Sequence, residues 1–352
     1  MFSPKCFCRF ISLLMRTSFS AFLLALGGLS AVQAQPTLNT IATFPIQYPT
    51  NLVLDQHGNL FGTTIDFTGG TIFEIMKGTH ALTTVASFLG TVPVNLALDN
   101  SGNIFGTAMK DDPETVTVFE IAADSHTVTT LISLPKGIPL SLNLDEQGNI
   151  FGTILKSSNK SCLAYEIKKD SHNIATVLEY SALSARIGLD TQGNIFGETT
   201  NAKFTGGTIW EIIAGSHIVT TLASLHGTML FSNVVLDSNG NIFTTTDNVA
   251  DSTIFELVKG HNTVNKVASF EGLWGSIALD SQGNIFGTRV SNDGTSAYIF
   301  ELAQGSHSVT DLAPFSKNLP NGIILDADGN IFGMIVNDRL KGGTVFEIQR
   351  SE

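Results

Sequence analysis

Apolar residues in this chain gather in short runs of mixed apolar and polar character, separated by clusters of Gly, Asn, Asp and Ser. Between Ser276 and Phe315 the runs are Ser276–Asp280, Asn284–Thr288, Tyr298–Leu302 and Ser308–Phe315. Runs of this length bounded by turn residues predict β-strands joined by hairpins. The same four runs recur along the chain, and each set opens on an aspartate: Asp55, Asp99, Asp145, Asp190, Asp237, Asp280 and Asp326, spaced 43 to 47 residues apart.

A four-stranded antiparallel unit cannot bury both of its faces alone, whereas units stacked radially bury a continuous core. The two ends of the chain decide between a closed ring and an open stack. The seventh set stops after Thr344–Ile348 without a fourth run, while residues 37–44, Thr-Leu-Asn-Thr-Ile-Ala-Thr-Phe, match fourth runs such as Ile218–Leu225. An open stack has no use for its last strand at the opposite end of the chain. The expectation is therefore an all-β fold, a seven-bladed β-propeller of four-stranded antiparallel blades, with the N-terminal strand completing the last blade and closing the ring.

Within each unit the turn Asp-x-x-Gly-Asn reverses the chain between first and second strands. Gly supplies a positive φ without steric cost, and Asp accepts hydrogen bonds from turn amides. Two residues past the Asn stands a phenylalanine in every unit: Phe61, Phe105, Phe151, Phe196, Phe243, Phe286 and Phe332. Each buried ring contributes roughly 1.5–3 kcal/mol, so the seven predict a principal layer of the inter-blade core.

At these residues the chain resembles the GloVer repeat family of secreted bacterial proteins, whose units read approximately Gly-Asn-Leu-Tyr-Gly-Thr-Thr, a glycine-rich loop, then Gly-Thr-Val-Phe. The matching segments are residues 58–64 with 70–73, 193–197 with 207–210, and 329–333 with 343–346, and the likeness runs from residue 36 to 348. The chain departs from that pattern in using Phe for Tyr and in lacking the glycine-rich loop in units two, three, five and six. The resemblance implies an extracytoplasmic propeller and brings no catalytic residues to transfer. The Leu-Asp-x-x-Gly-Asn-Ile segments are more distantly similar to NHL and gluconolactonase-type propellers, some of which are enzymes.

Composition adds a compartment. Lys5, Arg9 and Arg16 precede the apolar run Phe19–Leu26, and small residues follow up to Ala34. This is the layout of a signal peptide over residues 1–34, leaving one propeller domain over 35–352. The apolar run is shorter than the roughly 20 residues of a membrane span, and no other stretch is long enough. The expected location is outside the cytoplasm: secreted, periplasmic or on the cell surface. Cys6 and Cys8 belong to the leader and Cys162 stands alone, so no disulfide is expected within the mature chain. The formal charge of -12 becomes -15 once the three leader cations are removed. Such a surface repels phosphate backbones and anionic lipid, which argues against nucleic-acid or polybasic membrane binding.

Four groups of residues invite a chemical reading. His80, His126, His172, His217, His261 and His307 occupy the same hairpin in six different units, so rotation spreads them around the ring and they are read as turn residues. Glu74, Glu120, Glu166, Glu211, Glu256, Glu301 and Glu347 end the third strands, one per unit, and are read as pairing with neighbouring strands or solvent instead of forming the carboxylate pair of a glycosidase. Asp326-Ala-Asp328 lacks the glutamate and loop length of a calcium-binding hand.

The fourth group stands four residues before each turn aspartate: Asn51, Asn95, Ser141, Arg186, Asn233, Ser276 and Gly322. A propeller brings this ring to its axial mouth, where amides and one guanidinium, Arg186, would hydrogen-bond a neutral or anionic ligand. Tyr48, Phe231 and Trp274 lie just upstream as a possible stacking platform. The candidate ligand-binding set is Asn51, Asn95, Ser141, Arg186, Asn233, Ser276 and Trp274. No catalytic residue, metal site or cofactor is assigned.

Two functions remain open at this point. One is a monomeric binding or interaction scaffold for a small molecule, glycan or protein. The alternative is a propeller-type lyase or lactonase with an axial active site, which would need further ionisable residues around Arg186.

Overall fold

The computed structural model of the chain describes residues 37–350 apart from 111–114, 124, 158–160, 170, 181–183, 202, 204, 227–228, 231–232, 248–251, 262, 292, 294, 317–318 and 338–341. The signal-peptide expectation thus falls outside the described residues. Every regular element described is a β-strand, and the strands form seven antiparallel sheets. Blade one is typical, with strands Tyr48–Leu54, Leu60–Ile65, Gly69–Ile75 and Leu82–Leu89 in that order from the axis outward. In blade five the first strand is split into Met229–Leu230 and Val235–Leu236, both paired with Ile242–Asp247. The first strands of adjacent blades lie against one another around the axis.

The ring closes as the two ends of the sequence require. Strand Leu38–Phe44 pairs antiparallel with Gly343–Ile348, from Leu38 opposite Ile348 to Phe44 opposite Gly343, and supplies the outermost strand of blade seven. Arg350 reinforces the adjoining seam between blades six and seven. Its guanidinium donates to Asp280 at 3.2 Å and to Glu301 at 3.0 Å and lies 4.6 Å over the Phe286 ring. Across the closure itself, Lys77 reaches back to Asp328 at 3.2 Å.

The repeated turn is a hydrogen-bond device. In blade six, Asp280 Oδ1 accepts the backbone amides of Gln282 and Asn284, both at 2.9 Å, and Oδ2 accepts Asn284 Nδ2 at 2.8 Å. Asn284 Oδ1 in turn accepts the amide of Gln304, just past the third strand. The Asn-to-third-strand link recurs in all seven blades, at Lys77, Ala123, Lys169, Ala214, Lys259, Gln304 and Arg350. One aspartate and one asparagine therefore satisfy the turn amides and tie the first hairpin to the second. The glycine of the turn is needed for its backbone, with φ near 82° at Gly283.

Apolar burial is divided among seven clusters, each shared by two adjacent blades. The expected phenylalanine layer is present: Phe105, Phe151, Phe196, Phe243, Phe286 and Phe332 are buried, and Phe61 is half-buried. A second aromatic layer, which the sequence reading did not separate, comes from the third strands. Phe73, Phe119, Tyr165, Trp210, Phe300 and Phe346 are almost fully buried. Each lies opposite a second-strand glycine: Gly62, Gly106, Gly152, Gly197, Gly287 and Gly333. The ring occupies the volume a side chain would need, since a Cβ at Gly62 would stand 2.3 Å from Phe73 Cζ. Blade five breaks the rule. Thr244 stands opposite Phe255, and this ring is only half-buried.

Candidate functional site

The ring of residues expected at the mouth lies on the innermost strands, and most of its polar groups turn toward the protein. Asn95 Nδ2 donates to Thr107 Oγ1 at 3.1 Å, and Ser141 Oγ meets Thr153 Oγ1 at 2.8 Å, each across to the second strand of its own blade. Asn233 forms a two-point bridge to blade six: Nδ2 donates to the Ile277 carbonyl at 3.1 Å, and Oδ1 accepts the Ile277 amide at 3.2 Å. Asn51 keeps a buried side-chain oxygen with no partner, and Ser276 is half-buried. Gly322 forms a bulge with φ of 70°. The side chains of Trp274 and Phe231 lie outside the described residues, so the stacking platform reduces to Tyr48, which is half-buried at the start of its strand.

Blade four differs. Arg186 is opposite Glu198 across the first two strands, in the position where other blades pair Asn95 with Thr107 or Ser141 with Thr153. Arg186 is an exposed residue, and its guanidinium makes no hydrogen bond or ion pair among the described residues. It is nonetheless hemmed in by protein, and this desolvation lowers its pKa, with the Glu198 charge acting the other way. An arginine remains cationic under either influence.

Glu198 is fully buried on the face of blade four that meets blade five. Its Oε2 accepts the Thr244 hydroxyl at 2.5 Å, across the seam, and its Oε1 has no partner. Burial pushes its pKa up to about 8, against the opposing effects of the Thr244 bond and the Arg186 charge. The carboxyl is therefore mainly protonated at neutral pH, which leaves the Arg186 charge largely uncompensated.

Sequence reading took Arg186 as the one charge at the mouth and passed over Glu198. A signal was present in the column of residues that follows the second-strand glycine: Thr63, Thr107, Thr153, Glu198, Thr245, Thr288 and Met334. Glutamate is the sole ionisable member, and its hydrogen-bond partner, Thr244, is the sole departure from glycine in the neighbouring column.

The other candidate groups have local roles. His80, His172 and His217 adopt left-handed backbone conformations in their hairpins, while His126 and His307 bond through Nδ1 to carbonyls of the preceding blade, Val85 and Val267. Third-strand glutamates meet nearby partners, such as Glu166 with Lys168 at 2.5 Å and Glu301 with Arg350. Asp328 serves in the ion pair with Lys77. Among the described residues no three His, Cys, Asp or Glu side chains cluster as a metal site, and no helix is long and apolar enough to cross a membrane. Cys162 is buried, and desolvation raises its thiol pKa to about 12.

No protein-family model and no curated protein matches the chain. Solved structures do. An oligogalacturonate lyase in complex with manganese aligns over 91% of this chain and 95% of its own, with a TM-score of 0.70 and 8% identity. A virginiamycin B lyase from Staphylococcus aureus, a catalytically inactive variant with quinupristin, aligns over 89% and 99%, with a TM-score of 0.65 and 12% identity. The β-propeller domain of the trilobed protease from Pyrococcus furiosus aligns over 88% and 97%, with a TM-score of 0.60 and 8% identity. At such identities the likeness is one of fold: this chain is a seven-bladed β-propeller.

Proposed function

We propose that this protein is an extracytoplasmic binding propeller whose axial mouth takes a small carboxylate-bearing ligand on Arg186. The observation that carries this reading is Arg186, an exposed residue whose guanidinium has no hydrogen-bond or ion-pair partner among the described residues, within a ring whose other polar groups are mostly engaged in the protein. A guanidinium presents paired N–H donors that match the two oxygens of a carboxylate. The leader-like residues 1–34 and the GloVer-like repeats support the location, and the net charge of -12 disfavours large polyanions while leaving a local cationic point for a small one.

The test is calorimetric titration with galacturonate and digalacturonate, chosen because one structural neighbour is named for oligogalacturonate. Saturable binding that Arg186→Gln abolishes supports the reading; equal binding by that variant, or no binding, overturns it. Because Glu198 is protonated below about pH 8, carboxylate affinity should fall as pH rises through that value, and Glu198→Gln should remove the fall.

A second reading, an axial lyase, draws on the two lyase neighbours. Elimination would need a base that touches substrate, and the Glu198 carboxyl is sealed from solvent in this arrangement. A gain of ultraviolet absorbance from a new carbon–carbon double bond in digalacturonate would favour the lyase over the scaffold.

A further inference from the structure

The outer strand of one blade and the third strand of the next meet through a pair of aromatic rings at several seams. Four such pairs are tightly tilted: Phe44–Phe73, Phe88–Phe119, Phe270–Phe300 and Phe315–Phe346 have centroids 4.7–5.3 Å apart. Between blades three and four the pair is Tyr180–Trp210, edge-to-face at 6.2 Å. Both residues line a cleft of about 440 Å³, within the size range of small-molecule sites. Tyr180 Oη and Trp210 Nε1 are buried there without hydrogen-bond partners. Buried donors of this kind are costly to leave unsatisfied, so a cleft occupant toward which either group turned would gain by accepting its hydrogen bond.

The rest of the cleft mixes apolar side chains, Leu178, Val219 and Leu225, with hydroxyl and amide groups. Thr199 and Thr208 face each other at 2.6 Å on its wall, and Asn201, Ser224 and His226 form an exposed rim. In blade one the equivalent hydroxyls, Thr64 and Thr71, are covered by the side-chain amide of Gln47, whose oxygen accepts from Thr64 at 3.1 Å. The corresponding place before blade four in the sequence is Leu183, which has no polar side-chain group to offer and lies outside the described residues. Among the described residues the lining contains no carboxylate, ammonium or guanidinium.

We infer that the cleft between blades three and four is a second binding site, separate from the axial mouth, for a neutral saccharide of one or two rings. Sugar hydroxyls both donate and accept, which suits a threonine–serine–asparagine wall, and the apolar C–H faces suit an aromatic floor with Leu178 and Leu225 beside it.

Trp210 and Trp274 are the only tryptophans, so Trp274→Phe makes Trp210 the sole indole reporter. In that background, emission is followed on titration with glucose, N-acetylglucosamine, cellobiose, maltose and glucuronate. The expected result is a saturable change with at least one neutral sugar. Thr208→Val should weaken it at least about tenfold, as should Ser224→Ala at the exposed rim. Arg186→Gln should leave it unchanged, which separates this site from the axial one. No saturable change with any neutral sugar, undiminished binding in both cleft variants, or tighter binding of glucuronate than of glucose would overturn the inference.

Discussion

The seam between blades four and five and the seam between blades seven and one are built on one plan with opposite outcomes. At the latter, Phe73 covers Gly62, closes against Phe44 and is 1% exposed. At the former, Thr244 replaces the glycine, Phe255 is held partly out of the core, and the threonine hydroxyl is spent on Glu198. A repeat is thus free to exchange apolar closure for a buried polar pair at one seam while its neighbours keep the ring together.

The largest expected effect tests the regular seam. Removing residues 37–44 takes away the buried Ile41, Ala42 and Phe44 and bares the edge of Gly343–Ile348. The loss should be at least about 4 kcal/mol in denaturant unfolding, from burial of roughly 1.5–3 kcal/mol per large side chain plus strand pairing. Melting like that of the parent would show that closure is not what holds the ring.

The second test is the pH dependence of the irregular seam. The folded-state pKa of Glu198 is raised above its ordinary value of 4.5 to about 8, so the native state keeps a proton that the unfolded chain releases. This group's contribution should make the protein lose stability as pH rises from about 4.5 to about 8 and level off above. Below that window the group is protonated in both states and contributes no slope. Denaturation of Glu198→Gln across the same range should lack this component; identical slopes in parent and variant would refute the assignment.

Next, Gly62→Ala should cost about 1–3 kcal/mol, because the new methyl group would meet both Phe73 and the Asn51 carbonyl oxygen, the latter at 2.7 Å. Asn284→Ala should cost about 1–2 kcal/mol by breaking the turn-to-strand link and the bond its amide donates to Asp280, readable as a shift in thermal midpoint. Arg186→Gln should change stability by less than about 0.5 kcal/mol, since its guanidinium has no hydrogen bond or ion pair to lose among the described residues.

Much of the architecture was legible because the repeats state it seven times. The Asp-x-x-Gly-Asn turn, the phenylalanine after it and the displaced fourth strand each have one physical reading, and the structure bears them out. The second-strand glycine was harder to interpret, since its purpose depends on a ring from the next strand lying over it. Glu198 went unseen for a related reason: a single glutamate on a strand looks like a solvent-facing charge until the face it shares with Thr244 is known. The cleft beside Tyr180 was beyond sequence reading altogether. Tyr, Trp and Phe follow the same repeat pattern, and the wider spacing of one pair arises only in packing.

The pairing of Leu38–Phe44 with Gly343–Ile348 also has a consequence in time. On a ribosome the first ribbon of the propeller to emerge must wait for nearly the entire remainder of the domain before its partner exists. Until then its inward face and its hydrogen-bonding edge have no permanent home, and six blades can assemble while the circle stays open. Synthesis and ring closure are therefore separated by almost the whole length of the domain, and the interval before the last blade emerges is when the nascent protein is most open to mispairing with another copy of itself.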